Sequence, residues 1–136
     1  MISVLDVAAY ILNKKGMMTA MKLQKLVYYA QAWSLVWDEK PLFSSKINAC
    51  ASGPVVPVLY GVHKGQYLVS RISGGNSRRL NQMQRETVDA VLKFYGDKTS
   101  QWLSVLAHSE SPWIEARERG NNEITPSSMV EYYSSL

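Results

Sequence analysis

Apolar residues recur at helical spacing along most of the chain, and short polar or glycine-rich stretches separate these runs. The most regular run follows Thr19, a residue type that favours helix N-caps. It predicts a long helix from Ala20 to about Trp37, because its apolar positions lie at i, i+3, i+4 and i+7 spacing. These positions are Leu23, Leu26, Val27, Ala30 and Trp33.

Capping signals predict the other helices. Ser3 and Asp6 form a capping pair for a first helix that ends at Gly16. A fourth helix begins near Asn81, with Gln84 in the capping-box position. Proline at a first helical position and Ser or Thr at an N-cap mark the rest. These further helices begin at Pro57, at Thr99 or Ser100, at Ser111 with Pro112, and at Thr125 with Pro126.

Two stretches break the helical pattern. Residues 41–52 contain alternating Ile47, Ala49 and Ala51, which indicates a short strand or hairpin before a turn at Gly53 and Pro54. Residues 66–72 favour an extended conformation, and residues 73–77 form a loop. No repeat or second domain boundary is evident. The pattern predicts a mostly α, compact single domain over residues 1–136, with about six or seven helices and a small β-hairpin near residues 42–52.

Composition fits a folded domain that binds another macromolecule. The chain has 136 residues, 46% of them apolar and 19% charged, and its four Trp and eight Tyr belong to the residue types that dominate protein interfaces. The net charge of +4 favours an acidic partner but falls short of the dense basic stripe typical of DNA-binding domains. No apolar run suits a membrane span, and no basic signal region precedes Asp6, so we expect a cytoplasmic protein with no membrane partner.

The residues do not assemble a known catalytic motif. His108 and Glu110 match the H-x-E of zinc deaminases, but that chemistry also needs a P-C-x-x-C, and Cys50 is the only cysteine. No base stands beside Cys50 in the sequence, and no phosphate-binding glycine pattern occurs. We therefore predict no enzymatic activity and no catalytic residue, cofactor or metal site. His108 is instead predicted to bond the last carbonyls of its own helix.

Three ordered blocks carry a family resemblance. They are residues 18–33 (MTAMKLQKLVYYAQAW), residues 41–43 (PLF) leading to residues 53–60 (GPVVPVLY), and residues 108–117 (HSESPWIEAR). With residues 6–8 (DVA) they span almost the whole chain, and they resemble the Panacea-domain (SocA-like) antitoxins of bacteria and phages. The motif positions are Gln24, Leu26, Gly53, Pro54, Tyr60, His108, Pro112, Trp113 and Arg117.

The chain departs from the family pattern just before Gly53. The family commonly has an acidic residue and an aromatic there, whereas residues 48–52 (NACAS) are small and nearly uncharged. If these positions select the partner, the partner differs from a typical one. The resemblance implies an antitoxin, of a bacterial or prophage toxin–antitoxin system, that neutralises a cognate protein toxin by direct contact. Some family members also deliver their partner to a protease, so a proteolytic adaptor is one alternative.

The candidate partner-binding residues form two groups. Lys22, Lys25, Tyr28 and Tyr29 lie on the second helix and combine aromatic with basic groups; the alternative is a core helix with solvated lysines. Arginines form the other group, and their alternative is a solvated loop. This second group is Arg71, Arg78 and Arg79. Nucleic acid could also bind these arginines, which keeps a DNA-binding autoregulator as the rival function, although no helix carries the face that reads a major groove. The sequence does not determine the oligomeric state.

Overall fold

The computed structural model describes residues 1–136 and contains seven helices and five short strands. It confirms the predicted mostly helical single domain. The helices are α1 (Val4–Lys15), α2 (Ala20–Trp37), α3 (Pro57–His63), α4 (Gln82–Tyr95), α5 (Ser100–His108), α6 (Ser111–Arg119) and α7 (Pro126–Tyr133). The strands are β1 (Met18–Thr19), β2 (Ile47–Cys50), β3 (Gly53–Val55), β4 (Leu68–Val69) and β5 (Glu123–Ile124).

Local capping chemistry sets most helix ends as the sequence predicts. Ser3 and Asp6 form a reciprocal capping box at α1, and Asn81 and Gln84 form another at α4. One prediction is wrong: Ser111 is the first residue of α6 and not its N-cap. Glu110 holds the cap position, but its carboxylate does not bond its own helix and turns toward α2 and α7 instead.

Helix α2 is the centre of the core. It contacts α1, α4, α5, α7 and β3, so nearly its whole circumference is covered. A helix surrounded in this way buries its polar residues together with its apolar ones, and each buried polar group needs a partner. Although α2 is the longest helix, neither it nor any other combines the length and apolar character needed to cross a membrane.

The β-hairpin forms at residues 47–55, later in the chain than predicted. Strand β2 pairs antiparallel with β3, and β5 pairs with the other edge of β2. The turn is at Ala51 and Ser52, while Gly53 and Pro54, predicted as the turn, belong to β3. Proline fits there because β3 is an edge strand, where a missing N–H costs no hydrogen bond of the sheet interior.

The stretch before the hairpin is held by a side chain and not by strand pairing. The Gln31 carboxamide accepts hydrogen bonds from the Leu42 and Phe43 backbone N–H groups and donates to the Phe43 carbonyl. Leu42 and Phe43 are buried beside it. Residues 42 and 43, which the prediction included in the hairpin, are therefore an irregular segment anchored to α2.

The predicted extended segment after α3 is present as β4, which pairs antiparallel with β1. The loop that follows returns to α1, where the buried Asp6 carboxylate accepts a hydrogen bond from the Asn76 N–H at 2.8 Å. Arg79 lies 3.7 Å from the other oxygen of Asp6. The N-terminal helix and the arginine-containing loop are thus joined through one carboxylate.

Candidate functional site

The structure corrects the binding face predicted on α2. Lys22 is half-buried, but at most 1% of Lys25, Tyr28 and Tyr29 is exposed. These three residues therefore belong to the core and cannot contact a partner on the folded domain. The alternative of a core helix holds for them, with the difference that Lys25 is buried and not solvated. Binding through Lys22 stays a prediction.

The buried tyrosines converge on one carboxylate. Tyr29 and Tyr133 both donate to Oε1 of Glu110, at 2.7 and 2.8 Å. The Tyr133 hydroxyl uses its single proton in the bond to Glu110. In its 2.9 Å contact with Tyr28, the Tyr28 hydroxyl is therefore the donor and Tyr133 the acceptor. Burial raises the pKa of all three tyrosines, so their hydroxyls remain donors. Burial also raises the pKa of Glu110, although the two hydroxyl bonds oppose that shift.

An open groove lies beside this carboxylate. We call it the aromatic groove; it encloses about 440 Å³ between α2, α4 and α5. Trp37, Phe94 and Trp102 expose 50%, 64% and 42% of their surface, although residues of this size usually bury most of their area. The lining residues are Trp33, Trp37, Ala90, Val91, Phe94, Tyr95, Trp102, Leu106, Glu110 and Leu136.

Packing inside the core fixes the shape of the aromatic groove. The Trp33 indole donates to the Tyr95 hydroxyl at 3.0 Å and stacks on Trp37, with ring centroids 5.0 Å apart. Tyr95 in turn stacks on Tyr29 at 4.2 Å. The groove walls are therefore continuous with the tyrosine network, and a ligand meets a preformed surface. This site was not predicted from the sequence, although Trp33 and Trp37 at i, i+4 spacing and a second aromatic pair, Phe94 and Trp102, are visible there.

The predicted arginines lie elsewhere. Arg71, Arg78 and Arg79 are all exposed, and Arg71 and Arg78 line a polar depression of about 260 Å³ beside α1. They precede α4, whereas the aromatic groove uses the C-terminal half of that helix. About 20 Å of helix separates the two ends. The structure brings Arg71 and Arg78 together but places none of the three arginines on the aromatic groove, and their role in binding stays a prediction.

Side chains of α5 and α6 hold the hairpin by its backbone. Four consecutive carbonyls of residues 49–52 accept hydrogen bonds from this helix pair, an arrangement we call the carbonyl clamp. The prediction that His108 bonds its own helix is wrong, since its ring nitrogen meets the hairpin. The pairs are Arg117 to Ala49 (3.0 Å), Trp113 to Cys50 (2.8 Å), His108 to Ala51 (2.9 Å) and Ser104 to Ser52 (3.2 Å).

The other motif positions are structural for separate reasons. The Gln24 carboxamide accepts from the Val56 N–H at 2.8 Å and donates to His63 Nε2 at 2.9 Å, so it fixes the start of α3 on α2. Because Nε2 of His63 accepts this hydrogen bond, it carries no proton, and burial lowers the pKa of His63, which also favours the neutral ring. Leu26, Pro54 and Pro112 are buried, whereas Tyr60 is 46% exposed.

Lys25 is the unusual group of the core. Its amine is the single buried side-chain polar atom without a hydrogen-bond partner, and burial lowers its pKa to about 8. Gly53 covers it: a methyl group there would lie 2.6 Å from Lys25 Cε. Gly53 also has a φ of +114°, which L side chains rarely adopt. Both constraints explain the glycine at this motif position.

No three His, Cys, Asp and Glu side chains lie close enough together to hold a metal ion.

The features that do converge define a class of domain: a mostly helical scaffold with an open aromatic groove and a hairpin held by its backbone. The family model for the SocA-like antitoxin, Panacea domain, matches residues 23–114, more than half of the chain. The chain belongs to this family, and the matched segment contains every groove residue except Leu136.

Searches of curated proteins and of solved structures found no significant match.

Proposed function

We propose that the protein is an antitoxin of a bacterial or prophage toxin–antitoxin system, and that it neutralises a cognate toxin in the cytoplasm by direct binding. The family's name supports a protein partner. Binding occludes the toxin or captures an inactive conformation, without chemistry by the antitoxin itself. The observation that carries this proposal is the aromatic groove.

Three features of the aromatic groove favour a protein ligand. It exposes several large aromatic side chains side by side, whereas single exposed apolar residues need no explanation. Trp is among the residues that contribute most to protein interfaces. The groove is also preformed, so binding orders few side chains and loses little conformational entropy.

A growth experiment tests the proposal. The reading frame adjacent to this gene is expressed from an inducible promoter, alone and together with the antitoxin. We expect the frame to arrest growth alone and the antitoxin to restore growth. In the variant Trp37→Ser with Phe94→Ser we expect the rescue to fail, because both side chains are exposed in the groove and their loss spares the core.

The matched control is Val58→Ser with Tyr67→Ser, which also removes two exposed apolar side chains but lies outside the groove. We expect full rescue from it. Circular dichroism and thermal unfolding of both purified variants establish that each is folded. Full rescue by a folded groove variant would exclude the groove as the toxin site, and failure of rescue by the unmodified protein would count against the antitoxin role.

The exposed Arg71, Arg78 and Arg79 support a second candidate function, a DNA-binding autoregulator. Guanidinium groups bind phosphate well, and phosphate contacts make affinity fall steeply with salt. A gel shift with the protein's own promoter at two salt concentrations separates the candidates: absent or salt-insensitive binding argues against DNA. The proteolytic adaptor stays a prediction.

A further inference from the structure

The carboxylate of Glu110, one of the residues that line the aromatic groove, has one free oxygen. Oε1 of Glu110 accepts both tyrosine hydroxyls, and Oε2 accepts no hydrogen bond. Lys25 Nζ is the single fully buried side-chain polar atom that lacks a hydrogen-bond partner. Oε2 also lacks a partner, so it must keep some exposed surface. Glu110 is one of the residues that line the groove. The lining of the groove therefore includes one residue with an unused acceptor oxygen.

This carboxylate has no cation within the protein. The two ion pairs of the structure join Lys15 to Asp97 and Arg79 to Asp6, and neither involves Glu110. Nine of the ten lining residues are hydrophobic, so Glu110 is also the sole charged side chain of the groove. A negative charge kept at 5% exposure without a counter-ion is costly, and a ligand cation would offset that cost.

The groove walls suit a cation as well. The electron-rich faces of Trp rings attract cations, most strongly when the site is partly desolvated. The structure already contains one such contact at the groove edge, where Lys98 Nζ lies 4.8 Å from the centre of the Trp102 ring. Trp37 and Phe94 offer further exposed ring surface beside it. Stacked aromatic walls around a single acid select a flat cation over a neutral apolar group.

We propose that the aromatic groove binds an arginine side chain of the protein partner, with the guanidinium against the aromatic walls and its N–H groups donating to Oε2 of Glu110. Arginine fits better than lysine because its guanidinium is planar, weakly hydrated and able to stack while it donates. This inference rests on the proposed function only in naming a protein as the source of the arginine. The preference for a guanidinium belongs to the groove itself.

The test uses Nα-acetyl-arginine amide and its neutral near-isostere, Nα-acetyl-citrulline amide, as probes of the whole protein. The four Trp indole N–H signals are followed by ¹⁵N-NMR during titration. We expect the arginine probe to shift Trp37 and Trp102, to leave Trp113 unchanged, and to bind about tenfold more tightly than citrulline. Equal binding of the two probes, or no shift of Trp37 and Trp102, overturns the inference.

Variants separate the charge from the aromatic walls. In Glu110→Gln we expect the tenfold preference for arginine to fall to about twofold, the part that the ring faces supply, while both probes still shift Trp37. In Trp102→Leu we expect weaker binding of both probes, and in the control Tyr67→Leu no change, because Tyr67 is 79% exposed outside the groove. An undiminished tenfold preference in Glu110→Gln contradicts the role of the carboxylate.

Failure of the arginine proposal and failure of the antitoxin proposal give different results. If Glu110→Gln does not fold, the comparison of arginine with citrulline in the unmodified protein and in Trp102→Leu still decides the question. If arginine binds selectively but the growth rescue fails, the groove preference stands and the antitoxin role does not. If rescue succeeds and the probes bind equally, the toxin uses apolar contacts alone.

Discussion

The hydroxyl of Tyr29 donates to Oε1 of Glu110 across 2.7 Å in the core, where no cation of the protein reaches the carboxylate. Tyr29→Phe removes this donor and leaves the ring in place. We expect it to lower the free energy of unfolding by about 1–3 kcal/mol, because a buried charged acceptor loses one of its two bonds. Urea denaturation measures the change.

The control for this substitution is Tyr67→Phe, which removes a hydroxyl from an exposed ring and should leave stability unchanged within about 0.5 kcal/mol. A similar small effect in Tyr29→Phe would show that the bond to Glu110 contributes little.

Glu110 should also make stability depend on pH. Its pKa is raised by burial, so the folded state holds this proton at pH values where the unfolded chain has released it. As pH rises from about 4 through the raised pKa, this group lowers the free energy of unfolding. In Glu110→Gln the decline is absent, so the variant should gain relative to the unmodified protein as the pH rises above about 4.5, the ordinary pKa of a glutamate.

Thermal unfolding across that range measures this gain, and Glu115→Gln, which removes an exposed carboxylate, is the matched control. A constant offset between Glu110→Gln and the unmodified protein at every pH would contradict the assignment.

Lys25→Met should stabilise the domain at neutral pH. The substitution keeps the length of the side chain close to that of lysine and removes a buried charge that has no partner. A pKa lowered from 10.5 to about 8 corresponds to roughly 3 kcal/mol, an upper estimate of the gain in unfolding free energy. Chemical denaturation at pH 7 measures it.

The sign of the pH effect provides an independent check. Above about pH 8 the folded Lys25 loses its proton, whereas the unfolded residue keeps it up to 10.5. The unmodified protein should therefore recover stability relative to Lys25→Met over this window. A destabilised Lys25→Met at pH 7 would mean that the amine has a partner, such as water, in solution.

Trp113→Phe should loosen the hairpin. The indole N–H donates to the Cys50 carbonyl at 2.8 Å, and a phenyl ring preserves most of the packing but not the bond. We expect a loss of about 1 kcal/mol and faster amide hydrogen exchange in β2 and β3. Ile114→Val, a change to the adjacent partly exposed residue, should leave hairpin exchange as it was. Exchange that rises equally across all helices would indicate a global effect and not a local one.

The helices were predictable because their ends depend on local chemistry. The capping boxes at Ser3 and Asn81 and the Thr19 N-cap involve residues three positions apart, and such signals are complete within the sequence. The hairpin position was less predictable, since it depends on pairing with β5 and on bonds from α5 and α6, more than 50 residues away.

The candidate site was the least predictable part. Lys25, Tyr28 and Tyr29 have polar ends, which suggests a surface position. The two tyrosines are instead buried with hydrogen bonds to Tyr133 and Glu110. Lys25 is buried beneath Gly53. The aromatic groove likewise combines α2, α4 and α5, so no single stretch of sequence displays it. The wrong prediction of a binding face on α2 and the failure to predict the aromatic groove therefore have the same cause, since both depend on long-range contacts.

The carbonyl clamp grips residues 49–52 through atoms that every amino acid possesses. The side chains of Ala51 and Ser52 take no part in this attachment and are exposed to solvent, whereas that of Ala49 is buried. The tip of the hairpin can therefore carry different side chains at residues 51 and 52, and with them different contacts, without a change in the helices beneath. Bulkier or acidic residues fit at these two positions on the same backbone, while Ala49 stays small because the core encloses it.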